Sequence, residues 1–203
     1  MRKLLVGLID YGAGNLASVR HGLQHIGFNC RISNDPAVLS TCDLLLLPGV
    51  GAFRPAMQAL KANGLDVFLK EQAALQRPIL GLCLGMQLLT ESSEEGGMTD
   101  GLGLIPGRVV HLGSRRWHIG WNSLECAASD LMFEHARDET YYFNHSYCYD
   151  GPREFQMCTT TFGAPFAAII RRHKTVGIQF HPEKSQEAGH RLLRQMIEGL
   201  CHA

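Results

Sequence analysis

The chain has 203 residues, 45% of them hydrophobic and 19% charged, which is enough apolar material for one medium domain with its own core and too much for a disordered chain. Lys plus Arg and Asp plus Glu stand at 19 each, so the formal net charge is zero and no long-range field recruits nucleic acid or an anionic membrane. No apolar run approaches the roughly 20 residues of a membrane span, and Met1-Arg2-Lys3 leads straight into a strand-like segment, so a single cytoplasmic domain over residues 1–203 is expected. Seven cysteines (Cys30, Cys42, Cys83, Cys126, Cys148, Cys158, Cys201) form no C-x-x-C pair and no regular spacing. They read as reduced thiols, not as a disulfide framework or a thiolate-zinc site.

In chain order, residues 4–9 read as a buried strand. Beyond the turn Asp10-Tyr11-Gly12-Ala13-Gly14-Asn15, the apolar residues Leu16, Val19, Leu23 and Ile26 recur three and four apart, which predicts a helix with one buried face. Strands are predicted at 28–32 and 43–47, the latter closed by Pro48-Gly49-Val50-Gly51, then helices at 52–60 and 65–75 and a strand at 79–82. This alternation predicts an open, mostly parallel twisted sheet flanked by helices, an α/β fold of the flavodoxin-like kind. The charged, glycine-rich stretch 91–97 reads as an exposed loop. After it come strand signals without long helices between them, at 104–110, 141–149, 155–161, 166–170 and 176–180, which suit an antiparallel extension of the sheet. Arg171-Arg172-His173-Lys174 reads as a solvated hairpin turn, and residues 189–200 as a closing helix.

The sharpest local feature is Gly81-Leu82-Cys83-Leu84-Gly85, where an apolar strand meets a helical pattern. Small residues on both sides of a nucleophile permit a strained strand-to-helix bend that projects its side chain, here Cys83. The following helix turns its positive end toward the thiolate, and the Leu84 amide is placed to hold an oxyanion. A cysteine nucleophile needs a base and a group that orients the base. His181-Pro182-Glu183 supplies both if the segment is extended, because residues i and i+2 then share a side. Gly49, Val50 and Gly51 at another strand end could turn amides toward an oxyanion, although alone they read as a tight turn. His21 and His25 are four apart on the first helix, a metal-compatible spacing, but no acidic or cysteine neighbour stands near in the chain and no metal is expected.

Together, the cysteine elbow, the strand-terminal Pro48-Gly49-Val50-Gly51 and His181-Pro182-Glu183 resemble the class I (triad) glutamine amidotransferases over nearly the whole chain. Within that class, Asp10-Tyr11-Gly12-Ala13-Gly14-Asn15, Gly120-Trp121-Asn122, Tyr142-Phe143-Asn144-His145-Ser146-Tyr147 and Gly177-Ile178-Gln179-Phe180-His181-Pro182-Glu183-Lys184-Ser185 resemble the glutaminase subunits of imidazole glycerol phosphate synthase. One departure stands out. That family usually carries Pro-His-Met before Gly-Trp-Asn, where this chain has Trp117-His118-Ile119.

The resemblance implies a Cys83-His181-Glu183 triad, an oxyanion site made by the Leu84 amide and the turn of Gly49, Val50 and Gly51, and glutamine held by Gln87, His145, Ser146 and Tyr147. It implies no cofactor. It further implies a heterodimer with a (β/α)8-barrel cyclase that uses the ammonia in histidine biosynthesis, with Asn15, Trp121, Tyr142 and Lys184 near the interface. Without the resemblance these four read as a helix cap, two core aromatics and a solvated charge. A subunit nearly silent by itself is also implied, with the turn at 48–51 presenting a carbonyl to the oxyanion site. The competing readings are a paralogue that supplies ammonia to a cell-surface sugar, a free-standing γ-glutamyl-type cysteine hydrolase, and a redox-sensing member of the fold.

Overall fold

The computed structural model describes residues 3–113, 117–126, 133 and 136–202. Its first half runs β1 (Leu5–Ile9), α1 (Leu16–His25), β2 (Asn29–Ser33), α2 (Pro36–Leu39), β3 (Leu44–Leu47), α3 (Phe53–Ala62), α4 (Leu65–Ala74), β4 (Ile79–Leu82) and α5 (Leu84–Leu88). Its second half runs β5 (Ser92–Ser93), β6 (Thr99–Asp100), β7 (Arg108–His111), β8 (His118–Ser123), β9 (Glu125–Cys126), β10 (Thr140–His145), β11 (Tyr147–Asp150), β12 (Gln156–Phe162), β13 (Ala164–Arg172), β14 (Thr175–Ile178) and α6 (Gln186–His202).

The main sheet has the order β2-β1-β3-β4-β14-β13-β11-β7-β5-β6, with β12 also pairing β13 and β9. From β2 to β14 every pairing is parallel, and from β14 through β13 and β11 to β7 every pairing is antiparallel, as the sequence predicts, while β5 lies parallel to β7 near the far edge. The period of two decides which side each residue packs on. Leu44 and Leu46 join the cluster that contains Val19 and Leu23 of α1 and Leu192 and Met196 of α6, while Leu45 and Leu47 join the one under α3, α4 and α5. Apolar runs in the parallel strands are thus read by both faces at once.

Helix ends are satisfied locally or from afar. Asn15 caps α1, its Oδ1 accepting from the Ser18 amide at 3.1 Å. The N-terminus of α3 has no local cap, and the Phe53 amide donates instead to Glu95 Oε2 at 2.8 Å. The exposed-loop expectation for residues 91–97 holds for Glu91, Glu94, Gly96 and Gly97, but Ser92–Ser93 pairs with β7 and β6, and Ser93 is fully buried.

Three further expectations change. The segment 141–149 is two strands, because the chain leaves a separate two-stranded sheet (β8 with β10) at Ser146 and joins the main sheet as β11. Of the strand predicted at 104–110, only Arg108–His111 forms, because the first residues bond back to the end of α5 and the following loop. The cysteines are not all free. Cys126 and Cys158 face each other in the antiparallel pairing of β9 with β12, their Cα atoms 4.1 Å apart, and form a disulfide. Residues 32 apart in the chain show no pairing signal until register sets them opposite. Arg115 and Arg116, for which the sequence allows either a partner contact or a solvated position, lie outside the described residues. No helix among the described residues is long and apolar enough to cross a membrane.

Candidate active site

Strands β3, β4 and β14 are adjacent and parallel at the centre of the sheet, so their carboxyl ends open on the same edge. Leu47 and Ile178 sit in or beside the register of Gly81 and Leu82, and the chain beyond each holds the three elements that the sequence singles out. The turn at 48–51 follows β3, Cys83 follows β4, and His181 lies three residues past β14.

Cys83 has φ +54 and ψ −110, a strained bend for a side-chain-bearing residue, held by its amide bond to the Ile178 carbonyl at 2.7 Å. The bend forces close approach. A Cβ on Gly85 would stand 1.9 Å from the Leu47 carbonyl oxygen, which explains a glycine there. Cys83 is 6% exposed, and its thiol points toward the Asn144 carbonyl at 3.9 Å, with Gln179 Nε2 at 4.0 Å.

His181 and Glu183 meet as expected but by a different backbone. The segment is not extended: Pro182–Lys184 is a 3-10 turn, closed by bonds from the Lys184 amide to the His181 carbonyl and from the Ser185 amide to the Pro182 carbonyl. A proline at the first position of a helical turn has the φ that the turn needs and lacks only an amide that would be unpaired. His181 Nδ1 lies 2.9 Å from Glu183 Oε1, both side chains less than 5% exposed. Burial pulls the His181 pKa down, but bonds to Cys83 and Glu183 and their charges outweigh it and raise it to about 10. Glu183 holds the proton on Nδ1, which leaves Nε2 for the thiol.

A cleft of about 580 Å³ opens over this group and is lined by Val50, Gly51, Cys83, Leu84, Gln87, His145, Ser146, Tyr147, His181 and Lys184. Gly49 and Glu183 lie behind its wall. Of the residues tied to an interface, Lys184 is at the cleft, Asn15 is exposed as the α1 cap, and Tyr142 and Trp121 pair across β10 and β8 with their rings edge to face. Trp121 is half exposed and not a core aromatic; Tyr141, its neighbour's sequence partner, takes the core instead.

Sequence reasoning passed over several contributors. The Tyr11 hydroxyl donates to the Pro48 carbonyl at 2.8 Å and so fixes the start of the turn at 48–51. Gln179 Oε1 accepts from Gln87 Nε2 at 3.3 Å, and Gln87 Nε2 also donates to the Tyr147 carbonyl at 3.0 Å. His118 is buried against the His145 ring, its Nδ1 3.2 Å from His145 Nε2. Trp117 and Ile119 line the cleft mouth. Gln179 and His118 sit inside quoted motifs, so their position was the only available signal.

Residues 7–199 match the class-I glutamine amidotransferase family. Among curated proteins, the imidazole glycerol phosphate synthase subunit HisH of Symbiobacterium thermophilum is 43% identical over 198 residues, 96% of this chain and 93% of that one. The chloroplastic imidazole glycerol phosphate synthase hisHF of Arabidopsis thaliana is 41% identical over 200 residues, 95% of this chain and 34% of that longer one. Among solved structures, PurLQS from Thermotoga maritima aligns with a TM-score of 0.78 at 18% identity, covering 98% of this chain and 100% of that one, a likeness of fold. A parallel sheet carrying a cysteine elbow beside a His-x-Glu turn, and this identity over nearly the full length, place the chain in the class-I glutamine amidotransferase family, among the HisH subunits of imidazole glycerol phosphate synthase.

Proposed function

We propose that residues 1–203 act as one glutaminase domain in which Cys83, His181 and Glu183 hydrolyse glutamine and the ammonia passes to a (β/α)8-barrel cyclase bound over the cleft. The observation that carries the reading is the buried chain from Cys83 through His181 to Glu183, with the imidazole bonded at 2.9 Å to the carboxylate. The proton that the thiol gives up rests on His181 Nε2 from the start, and Cys83 Sγ attacks the glutamine carboxamide carbon beside that imidazolium. The resulting oxyanion is held by the Leu84 amide and by an amide of Gly49, Val50 or Gly51. As the tetrahedral adduct collapses, the imidazolium gives its proton to the departing nitrogen, which leaves as ammonia. Water, deprotonated by the same Nε2, cleaves the γ-glutamyl thioester and releases glutamate. Gln87, His145, Ser146 and Tyr147 hold the amino-acid end of glutamine.

The partner reading rests on the rim. Trp117, Ile119 and Val50 line the cleft and leave 66%, 63% and 42% of their surfaces exposed, and Trp121, two residues past Ile119 in β8, continues the row at 49%. An apolar rim of this kind suits a docking face, with Asn15, Tyr142 and Lys184 beside it. The Arabidopsis relative leaves about two thirds of its chain outside the matched part, which is consistent with a fused acceptor domain. The cytoplasm is the compartment that fits this role.

The test is glutamate release from glutamine by the chain alone and with a histidine-pathway cyclase carrying its nucleotide ligand. Strong stimulation by the complex supports the reading. High activity of the chain alone favours a free-standing hydrolase, and silence in both conditions sinks the histidine role. Cys83→Ser is expected to abolish glutamine-dependent synthesis by the complex while leaving synthesis from added ammonia intact.

A further inference from the structure

The histidine pair of α1 gains in the folded chain what it lacks in the sequence. α6 carries Glu187 and His190 three apart near its start, on the side that meets α1. Glu187 Oε1 lies 3.3 Å from His25 Nε2 and 4.0 Å from His190 Nδ1, and the two imidazoles stand 4.4 Å apart between ring centroids. One ligand atom from each of the three residues lies within 4.8 Å of the others. His190 Nδ1 is buried without a hydrogen-bond partner among the described residues. His21 opens on the same fissure, together with His25, His190 and Glu183.

We propose that His25, Glu187 and His190 bind a divalent transition-metal ion, zinc in the first place, across α1 and α6, with His21 or water completing the shell. The donor set is two imidazoles and a carboxylate, the borderline ligands that zinc takes in four-coordinate sites. Bonds of about 2.1 Å in a tetrahedron set ligand atoms about 3.4 Å apart. The His25 to Glu187 separation already meets this. The His190 to Glu187 separation of 4.0 Å meets it when the Glu187 carboxylate, 71% exposed, rotates between the two imidazoles.

The site has a structural consequence. A Cβ on Gly22 of α1 would stand 3.4 Å from Glu183 Cβ, so α1 and α6 close on the 3-10 turn that carries Glu183. A metal bridging the two helices ties that closure. The inference does not depend on the glutaminase reading, because none of the three ligands touches the cleft.

The experiment titrates the full-length chain with Zn2+ by calorimetry and with Co2+ by visible absorption, and follows thermal unfolding. One saturable equivalent is expected, with Tm raised by about 5–10 °C at a hundredfold excess over Kd. Cys83→Ser should keep the binding. Glu187→Gln and His25→Ala, both at exposed side chains, should each weaken it at least tenfold while leaving the metal-free Tm within a few degrees. Binding that vanishes in Cys83→Ser, that survives Glu187→Gln and His25→Ala unchanged, or that never saturates below millimolar metal overturns the proposal.

Discussion

His118→Phe tests whether the chain of buried polar groups behind the cleft is understood. His118 is 3% exposed and stacked between Phe143 and Phe162, with ring centroids at 4.6 Å and 4.2 Å, so a phenyl ring fits the slot. What it lacks is the hydrogen bonding. The Tyr147 carbonyl can only accept, so His145 Nδ1 donates to it at 2.9 Å and the neutral ring's Nε2 must accept. The donor is His118 Nδ1, and His118 Nε2 in turn accepts from Asn122 Nδ2 at 3.4 Å.

Removing the imidazole leaves His145 Nε2 buried and unpaired, at a cost of about 1–3 kcal/mol at pH 7. The pH dependence has the opposite sign. Burial lowers the pKa of His118 to about 4, and burial followed by its histidine neighbours lowers that of His145 to about 3. Below pH 6.5 the unfolded chain therefore takes up protons that the folded chain refuses, and each histidine costs about 1.4 kcal/mol of stability per pH unit. Between pH 6.5 and 4, His118 accounts for about 3 kcal/mol of that loss, and the variant escapes it. Urea unfolding curves should show the variant less stable at neutral pH, with the two profiles crossing between about pH 4.5 and 6. Parallel profiles would refute the assigned tautomers and the neutral state of His118. Because His145 lines the cleft, the variant should also raise the KM for glutamine more than it lowers kcat.

Glu183→Gln removes the group that holds the proton on His181 Nδ1, and kcat for glutamate release by the cyclase complex should fall about 10²-fold to 10⁴-fold with little change in KM. In the parent chain, the raised His181 pKa contributes stability that is fully present below pH 6.5 and is lost as pH climbs toward 10. The variant should therefore show a flatter alkaline limb in denaturant unfolding, and an unchanged limb would mean that Glu183 does not stabilise the imidazolium. Gly85→Ala sets a methyl group against the Leu47 carbonyl, so the elbow must move away from β3. A loss of about 2–4 kcal/mol in unfolding free energy is expected together with loss of glutaminase activity, and a fully active, equally stable variant would contradict the close packing of the two turns.

The order of short strands and amphipathic helices in the first half, the elbow at Cys83 and the His181 to Glu183 pair are written in local sequence. Each depends on periodicity, on a glycine or on residues two apart, and neighbours within a turn or strand suffice to encode them. The second half was legible only as a set of strand signals. Whether the chain of 141–149 stays in one sheet or crosses between two depends on which partner strands cover each face, and that is a property of the assembled sheet. The same holds for the 3-10 turn beneath His181, which local reasoning took as extended although the side chains still meet. Composition and spacing pointed away from a disulfide, and only the register of β9 against β12 set Cys126 beside Cys158. Spacing likewise left His25 without an acidic neighbour, until α6 returned along α1 and brought Glu187. Local physics fixes what each segment can be, because it acts over a few residues. Strand order and helix packing decide which distant segments share a site, because burying both faces of one sheet is a condition on the whole chain.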